Sequence, residues 1–556
     1  MRPSVVCVAT LGLLVSAGCK DDDGGDDNAE GMAEETGDGD GDASGDGDGD
    51  GDDPSAWSFA PLYAAPNLDD DDASGQRDWL QVVFPGDEEV HQLVIPAAAY
   101  AAGDSIRLSL AGDTAGVRFW LAGEHVLGHG PAEPLTSYTI ASPSGDVTLD
   151  YEFGEFLAYA DLTLERVDGD GNVVASATIE AVSSPLIMNH HLQTAEHLWV
   201  VATSDNANFV ADYQAALGDD VTPVPGGPYQ QDRWIQDEIE FAYSTSPDGG
   251  RLDTVIDSIR DRGLDSFPEN TFSVPDWYVG TWGNSINATT FDSFGNLDAS
   301  PPIPGYPFGR IYYGLEGGNG LDSVLADFLA SQTLQAPFAL DTDWLCVGHV
   351  DEFSSFVPDP SSALGFKLLL SSTSAGYALF ESLDPNWGLG RYDSAYGFAT
   401  VGELLADPAL RAFNEDIQAN ELDPIRAKFK AELGLTDADI IEIPTIFDEL
   451  AGCGGRAVAL TPGTVNLIVA NLADQGAILA VPDPFARPND VGSDQDPVAQ
   501  DFIDRMPAGL TVAWIDDWYS YHLLDGEVHC GTNVTRTPIE DWTVAGADLL
   551  GLEGAN

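Results

Sequence analysis

Ninety-three Asp and Glu residues share this chain with only 21 Lys and Arg, giving a formal net charge of −72. A fold built from it cannot neutralise its carboxylates by internal ion pairing. It must keep them in water, protonate them, or hand them to cations from outside. The same field repels phosphate backbones and anionic headgroups, which argues against nucleic acid and electrostatic membrane docking and favours cationic partners and divalent metals. Excess charge of this order often means disorder. Here 12 Trp, 17 Tyr and 24 Phe supply the apolar surface for a large core, and the length suits roughly two to four domains.

The amino terminus reads as an address. Arg2 precedes a mostly apolar run, Val5 to Val15, too short to span a bilayer and suited to a signal peptide. Ser16-Ala17-Gly18-Cys19 resembles a bacterial lipoprotein cleavage box with Cys19 as the lipidated residue, although Ser16 stands where Leu is commonest. Residues 1–19 are therefore expected to be a lipoprotein signal peptide; a plain secretory signal is the alternative. From Lys20 to Asp53 the chain is almost only Asp, Gly, Glu, Ala and Ser, so residues 20–56 are expected to form a disordered acidic tether. Asp46-Gly-Asp48-Gly-Asp50-Gly51 matches half of an EF-hand loop, but its twelfth position is Trp57, so it reads as linker. The expected location is extracytoplasmic, lipid-anchored to a bacterial membrane, with secretion as second choice. With Cys7 in the signal and Cys19 lipidated, Cys346, Cys453 and Cys530 remain. An odd number shows no disulfide framework and leaves at least one thiol free.

Residues 57–182 read as a β-sandwich. Trp79–Phe84, Ser105–Leu110, Val117–Leu121, Val147–Tyr151 and Ala160–Glu165 largely alternate at period two between Gly, Asp and Pro clusters. His125 and His129 read as loop residues, not a metal pair. Residues 183–556 alternate strand-like and helix-like runs, an α/β or α+β region. Helical stretches are predicted at Leu321 to Leu334, within Gly402 to Leu433, and at Val498 to Met506 behind Asp496-Pro497. Strands are predicted at Phe366–Leu370 and Val465–Val469.

Four segments of this second region carry chemistry. In Asp232-Arg-Trp-Ile-Gln-Asp-Glu-Ile-Glu-Phe-Ala-Tyr243 a strand would put Gln236, Glu238 and Glu240 on one face and Asp237 on the other. Three oxygen side chains on one face suit either a calcium ion or a solvated strand edge. In Trp344-Leu-Cys-Val-Gly-His-Val-Asp-Glu-Phe353 a buried strand would end with His349 and Asp351 on one side, an acid/base and a cation anchor. Cys530, in Asp525-Gly-Glu-Val-His-Cys-Gly-Thr-Asn533, would sit at a strand end before Gly531, with adjacent His529 facing away and His349 the better partner for a thiolate. The loop Phe291-Asp-Ser-Phe-Gly-Asn-Leu-Asp-Ala-Ser-Pro-Pro302 offers carbonyls and Asp298 to a hard cation.

Together, Trp234-Ile-Gln-Asp-Glu-Ile-Glu240, Asp292-Ser-Phe-Gly-Asn-Leu297, Val347-Gly-His-Val-Asp-Glu-Phe353 and Gly526-Glu-Val-His-Cys-Gly-Thr-Asn-Val534 resemble the protein-arginine deiminases, in that family's order and approximate spacing. The resemblance implies a pentein-type five-bladed α/β propeller of ββαβ-like modules, preceded here by an immunoglobulin-like β-sandwich. It implies calcium-dependent hydrolysis of peptidyl-arginine to peptidyl-citrulline through a covalent cysteine thiouronium. Cys530 matches the nucleophile, His349 the acid/base, and Asp237 and Asp351 the carboxylates that grip the guanidinium. Trp234 matches the residue packing on the arginine stem, and Arg260 and Arg262 those that bind the peptide backbone.

For calcium, Gln236, Glu240, Asp298 and the carbonyls of Phe294 and Leu297 match one site; Glu238, Asp257, Ser258 and Asp261 match the second. Asp298 and Asp261 depart from the vertebrate Glu and Asn. Leu524 and Asp525 stand where vertebrate members often carry Arg and His, so the substrate rim is expected to differ. With one amino-terminal sandwich in place of two, calcium sites of that other region are not assumed. The alternatives are a deiminase of free arginine or agmatine and a non-catalytic calcium-binding surface lipoprotein.

Overall fold

The computed structural model describes residues 57–81, 84, 89–247, 249–539 and 541–552, all within the compact unit that spans Pro54–Asn556. The signal, tether and Cys19 readings lie outside the described residues. Period-two alternation forms strands where expected: along Ser105–Gly112, Ile106, Leu108 and Leu110 are buried while Arg107 is exposed. This strand belongs to a five-stranded sheet in the order Leu62–Ala64, Val173–Ser183, Tyr159–Val167, Ser105–Gly112, Ser137–Ile140. A four-stranded sheet has the order His91–Ile95, Val147–Phe153, Val117–Leu121, Glu124–Gly128. One core joins them, with Leu108, Leu162 and Leu164 from the first and Phe119, Leu149 and Phe153 from the second.

Two readings of this region are corrected. Trp79 lies in a short 3-10 helix, Asp78–Leu80, not in a strand. Its ring stacks on His129 at 4.8 Å and lies 4.5 Å from the Arg118 guanidinium, contacts that override local alternation. His125 is in the strand Glu124–Gly128 with Nε2 2.9 Å from the Leu127 carbonyl, which corrects its loop reading, whereas His129 lies in the loop after that strand.

Beyond Ser183 the chain builds five small mixed sheets, each containing an antiparallel pair with a further strand added in parallel, the first of them extended by Ile187–Met188 antiparallel to Ile239–Thr245. They are Ile239–Thr245, Arg251–Asp257 and Trp277–Thr281; Leu297–Ala299, Ile311–Leu315 and Phe338–Asp341; and Ser354–Pro358, Phe366–Ser372 and Ile440–Pro444. The fourth is Ile468–Leu472, Gly476–Pro482 and Thr511–Ile515; the fifth joins the two ends of this region, Thr532–Arg536 against Ala195–Ala202, with Val221–Pro225 parallel. A parallel pair needs a crossover. Helical segments supply it, among them Ala207–Leu217, Phe267–Phe272, Ser323–Ser331 and Pro497–Arg505. The last starts as predicted, since Asp496 accepts from the amides of Val498 (2.9 Å) and Ala499 (3.2 Å) ahead of a first-turn proline. The predicted Val465–Val469 strand begins only at Ile468. No helix of the described residues is long and apolar enough to cross a membrane.

The cysteine reading is also corrected: Cys346 and Cys453 form a disulfide and Cys530 is the free thiol. The partners lie 107 residues apart, a separation that hides the pairing from any local pattern. Backbone bonds bring them together, for Cys346 N–H donates to the Ala457 carbonyl at 2.9 Å and Ala457 N–H donates to that of Trp344 at 2.8 Å. A crosslink over so long a loop removes much unfolded-state entropy, so Cys453→Ser is expected to cost about 2–5 kcal/mol. The readouts are a lower Tm and alkylation of Cys346 without reductant. An unchanged Tm would mean that the two backbone bonds alone hold this segment.

Candidate active site

Cys530 stands in a turn immediately before the strand Thr532–Arg536, not at the end of a strand as read from the sequence. The turn leaves no room at its hinge: a Cβ on Gly531 would lie 2.3 Å from the Tyr521 ring. Asn466 ties the turn down. Its Oδ1 accepts from the amides of His529 (2.9 Å) and Cys530 (3.3 Å), and its Nδ2 donates to Cys530 Sγ at 3.3 Å. The sequence reading missed Asn466 because the run around it reads as a strand. Cys530 is buried, and its thiol donates to Asp351 Oδ2 at 3.4 Å. Burial, followed by the charges of Asp351 and Asp237, pushes the thiol well above its ordinary value, so it is neutral until a cation enters.

The apolar run before His349 is irregular, and Val350–Glu352 forms a single 3-10 turn where a strand was predicted. Glu352 accepts from the amides of Gly348 (2.9 Å) and His349 (2.8 Å), which replaces the ladder bonds a strand would make. His349 Nε2 lies 2.8 Å from the Thr290 carbonyl. A carbonyl only accepts, so Nε2 carries hydrogen and Nδ1, 3.8 Å from Asp237 Oδ1, faces the cleft. Asp351 is bonded to His529 Nδ1 at 2.9 Å through Oδ2, while its buried Oδ1 has no partner among the described residues. Gly295 closes this group: a Cβ there would lie 2.7 Å from His349 Nδ1 and 3.0 Å from Asp351 Oδ2. The sequence held only its place in the Phe291–Pro302 loop as a signal.

A cleft of about 250 Å³ unites Trp234, Asp237, Arg260, Arg262, Thr290, His349 and Cys530, and Cys346 also lines it. Trp234 packs against the nucleophile segment, since a Cβ on Gly526 would fall 2.4 Å from its ring. Arg262 does not reach outward as the resemblance implied. It donates to Asp237 Oδ2 at 2.6 Å and to Asp232 Oδ1 at 2.8 Å, so it already holds one oxygen of the guanidinium-gripping carboxylate. Arg260 donates to Ser293 Oγ at 2.5 Å. A larger cleft at Glu89, Glu196, Arg251, Asp253 and Asp276 contains no nucleophile.

The cation-site residues sort differently from the strand reading. Ile235–Glu238 is one helical turn leading into the strand Ile239–Thr245. Gln236 and Glu240, four apart, meet on one side, whereas Glu238 turns toward Asp257; the common face expected from alternation does not form. On the first side Gln236 Nε2 donates to Glu240 Oε2 (2.7 Å) and to the Phe294 carbonyl (3.1 Å), standing where a cation would sit between the same oxygens. Asp298 lines the same space with His191 and His529, and Leu297 directly precedes it. Burial, then the charge of Asp298, pushes Glu240 up to about 8. On the second side Glu238 Oε1 and Asp257 Oδ1 are buried without a hydrogen-bond partner. Burial, then the charge of Asp257, moves Glu238 to about 9, and burial, then the charges of Glu269, Asp265 and Asp261 against a Thr281 hydrogen bond, moves Asp257 to about 7. Ser258 N–H donates to the Glu238 carbonyl at 2.9 Å, Asp261 is exposed, and Asp265 and Glu269 add charge that the sequence reading had not included. Orphaned carboxylate oxygens and raised carboxyls fit a divalent ion on this side.

A third acidic group lies at the edge of the two-sheet region, where none was assumed. Ligand atoms of Asp69, Asp71 and Asp78, and of Asp69, Glu89 and Asp276, lie within 4.8 Å of one another. Asp69 Oδ2 accepts from the Asp276 amide at 2.7 Å, while its buried Oδ1 has no partner. The Asp70–Asp72 acidic run was the available signal.

Glu238 and Glu240 hold protons in the folded chain up to about 9 and about 8, yet release them near the ordinary 4.5 when unfolded. Between those values the native state binds more protons, so stability in chelator falls as pH rises from about 5 to 9. A divalent cation bound by these carboxylates would replace the proton and should flatten the slope. Thermal unfolding across that window, with chelator and with millimolar calcium, tests this; a flat profile in chelator would contradict it.

The family model described as Protein-arginine deiminase (PAD) matches residues 174–543. Mouse protein-arginine deiminase type-4 is 36% identical over 435 residues, covering 72% of this chain and 63% of its own length. Human type-1 is 36% identical over 413 residues (70% and 60%), and human type-3 is 35% identical over 391 residues (67% and 57%). The chain thus spans about three-fifths of these relatives' length. A match over most of residues 174–543, containing every group gathered around Cys530, makes this chain a member of the protein-arginine deiminase family.

Proposed function

We propose that the chain hydrolyses peptidyl-arginine to peptidyl-citrulline and ammonia. The observation that carries the reading is a cleft lined by the buried Cys530 thiol and the buried Asp237 carboxylate, with a second buried carboxylate, Asp351, 3.4 Å behind the thiol and carrying an oxygen without a partner among the described residues. A guanidinium is a planar, always-charged fork of N–H donors that carboxylates satisfy in pairs. Asp351 Oδ1 and Asp237 are the acceptors, with Trp234 as the platform for the stem. Entry of this cation between Asp237 and Asp351 offsets the two charges that keep Cys530 neutral, so the substrate itself favours the thiolate.

The Cys530 proton passes to His349 Nδ1 as the sulfur bonds to the guanidinium carbon, and Nδ1 then gives that proton to the departing nitrogen, which leaves as ammonia. A water, deprotonated by the same Nδ1, attacks the thiouronium carbon, and the carbon–sulfur bond breaks to return the thiol and citrulline. Bound calcium would supply fixed positive charge: Gln236, Glu240, Asp298 and the Phe294 and Leu297 carbonyls would hold one ion, and Glu238, Asp257, Ser258 and Asp261 another. The ligand residues Phe294 and Asp257 flank the elements carrying Gly295 and Arg260, so loading would shape the cleft. Five mixed sheets, the last joining strands from the two ends of this region, support a five-bladed propeller over residues 183–556, behind an immunoglobulin-like sandwich at 57–182. A lipid anchor at Cys19 would put the enzyme where calcium is millimolar.

Citrulline release from a blocked arginine peptide and from free arginine, with calcium or chelator, tests the activity. Peptide turnover that needs calcium and is lost in Cys530→Ala is the expected result. Turnover of free arginine alone would move the substrate class, and silence on both by folded, calcium-loaded protein would overturn the reading. Gly295→Ala should lower kcat by about 10²-fold, because a methyl against His349 and Asp351 displaces both, while Tm falls modestly. Near-normal kcat in that variant would show that these groups lie elsewhere during turnover.

A further inference from the structure

The cleft holds one charge for which the reaction proposed above has no use. Asp525 lines it beside Leu524, and its exposed carboxylate accepts no side-chain hydrogen bond and forms no ion pair among the described residues. The other charges of the cleft are engaged: Arg262 by Asp232 and Asp237, Arg260 by Ser293, and Asp237 by Arg262. The groups nearest Asp525 do not answer it. His522 is buried and held neutral, its imidazole lowered to about 4 by burial, and buried Glu352 is pushed well above the carboxylate range.

Its position is built. Asp525 has φ +66°, a left-handed conformation that a non-glycine residue rarely adopts, at the end of the 3-10 turn His522–Leu524. Gly526 follows directly, and its backbone lies so close to the Trp234 ring that a Cβ would overlap it. Trp234 is the platform for the arginine stem, so the Asp525 carboxylate stands at the cleft mouth next to that stem. Asp237 and Asp351 are assigned to the guanidinium, which leaves the exposed Asp525 to the groups that flank the target arginine.

We infer that Asp525 is a specificity residue that selects arginines flanked by a cationic residue and rejects those flanked by an acidic one. The inference rests on the proposed deimination. A half-exposed charge contributes to selectivity modestly and in a salt-dependent way.

The test compares blocked peptides that differ only in Lys, Gln or Glu beside one arginine, on either side, for the natural protein, Asp525→Asn and Asp525→Glu, with benzoyl-arginine amide as a substrate lacking that neighbour. Asn tolerates the left-handed backbone. The natural protein should favour Lys over Glu by about 5-fold in kcat/KM at low salt. Asp525→Asn should lose most of that ratio while turning over benzoyl-arginine amide at close to the natural rate, and Asp525→Glu should keep it. Equal discrimination in Asp525→Asn would assign it to the general acidic field of the protein and overturn the inference, as would an absence of discrimination in the natural protein. Inactivity of the natural protein on every arginine substrate would instead refute the deimination reading.

Discussion

A carboxylate removed from water needs a proton or a cation, and this chain buries many more carboxylates than arginines. Arg118, Arg310, Arg487 and Arg536 are buried and each is spent on a local structural task. Arg487, for example, is shared between Asp483 and Asp496, where it holds the start of the helix Pro497–Arg505. Some of the remaining buried acids, Glu238, Asp257 and Asp298 among them, belong to the segments around Asp237, Gly295 and Asp351, and others, such as Asp69 and Asp78, to the edge of the two-sheet region. Burial pushes some above the carboxylate range, as it does Glu352 and Glu238. Others leave an oxygen bare, as Asp351, Asp257 and Asp69 do. The cleft and its surroundings are therefore organised around missing positive charge.

That shortage explains how much of the site was legible in the sequence. Residue identity sufficed to bring Asp237, His349, Asp351 and Cys530 together, because the motifs that contain them are long and their order is distinctive. Local geometry was less legible. The alternation of Gln236, Glu238 and Glu240 suggested a strand, but a single helical turn at Ile235–Glu238 separates Glu238 from the other two. The apolar run to Val350 suggested another strand, yet Glu352 bends it by capping the amides of Gly348 and His349. In the second case a side-chain acceptor competes with the backbone ladder, an interaction that period counting does not register.

Other groups left no local signal at all. Asn466 acts through contacts 63 and 64 residues away, at His529 and Cys530. Cys453 finds Cys346 across 107 residues. Gly295 matters for what it lacks, since any side chain would enter the space shared by His349 and Asp351. These are long-range constraints, set by the packing of separate sheets against one another.

Asp351 is the point where the separate parts meet. Through Oδ2 it touches both the Cys530 thiol and His529 Nδ1. Burial pulls the proton affinity of His529 down, but Asp351, Asp298 and Glu240 outweigh it and raise it. Two of those three acids belong to the first cation side, so the charge of that side reaches the nucleophile through one imidazole and one carboxylate. The outward face of the same turn carries Asp525 at the cleft mouth. One short segment, Asp525 to Cys530, thus presents a rim charge, a neighbour for the Trp234 platform, a link to the cation side and the thiol. Its rigidity, enforced by Asn466 and by the close approach of Gly526 and Gly531 to aromatic rings, is what allows six residues to hold four positions at once.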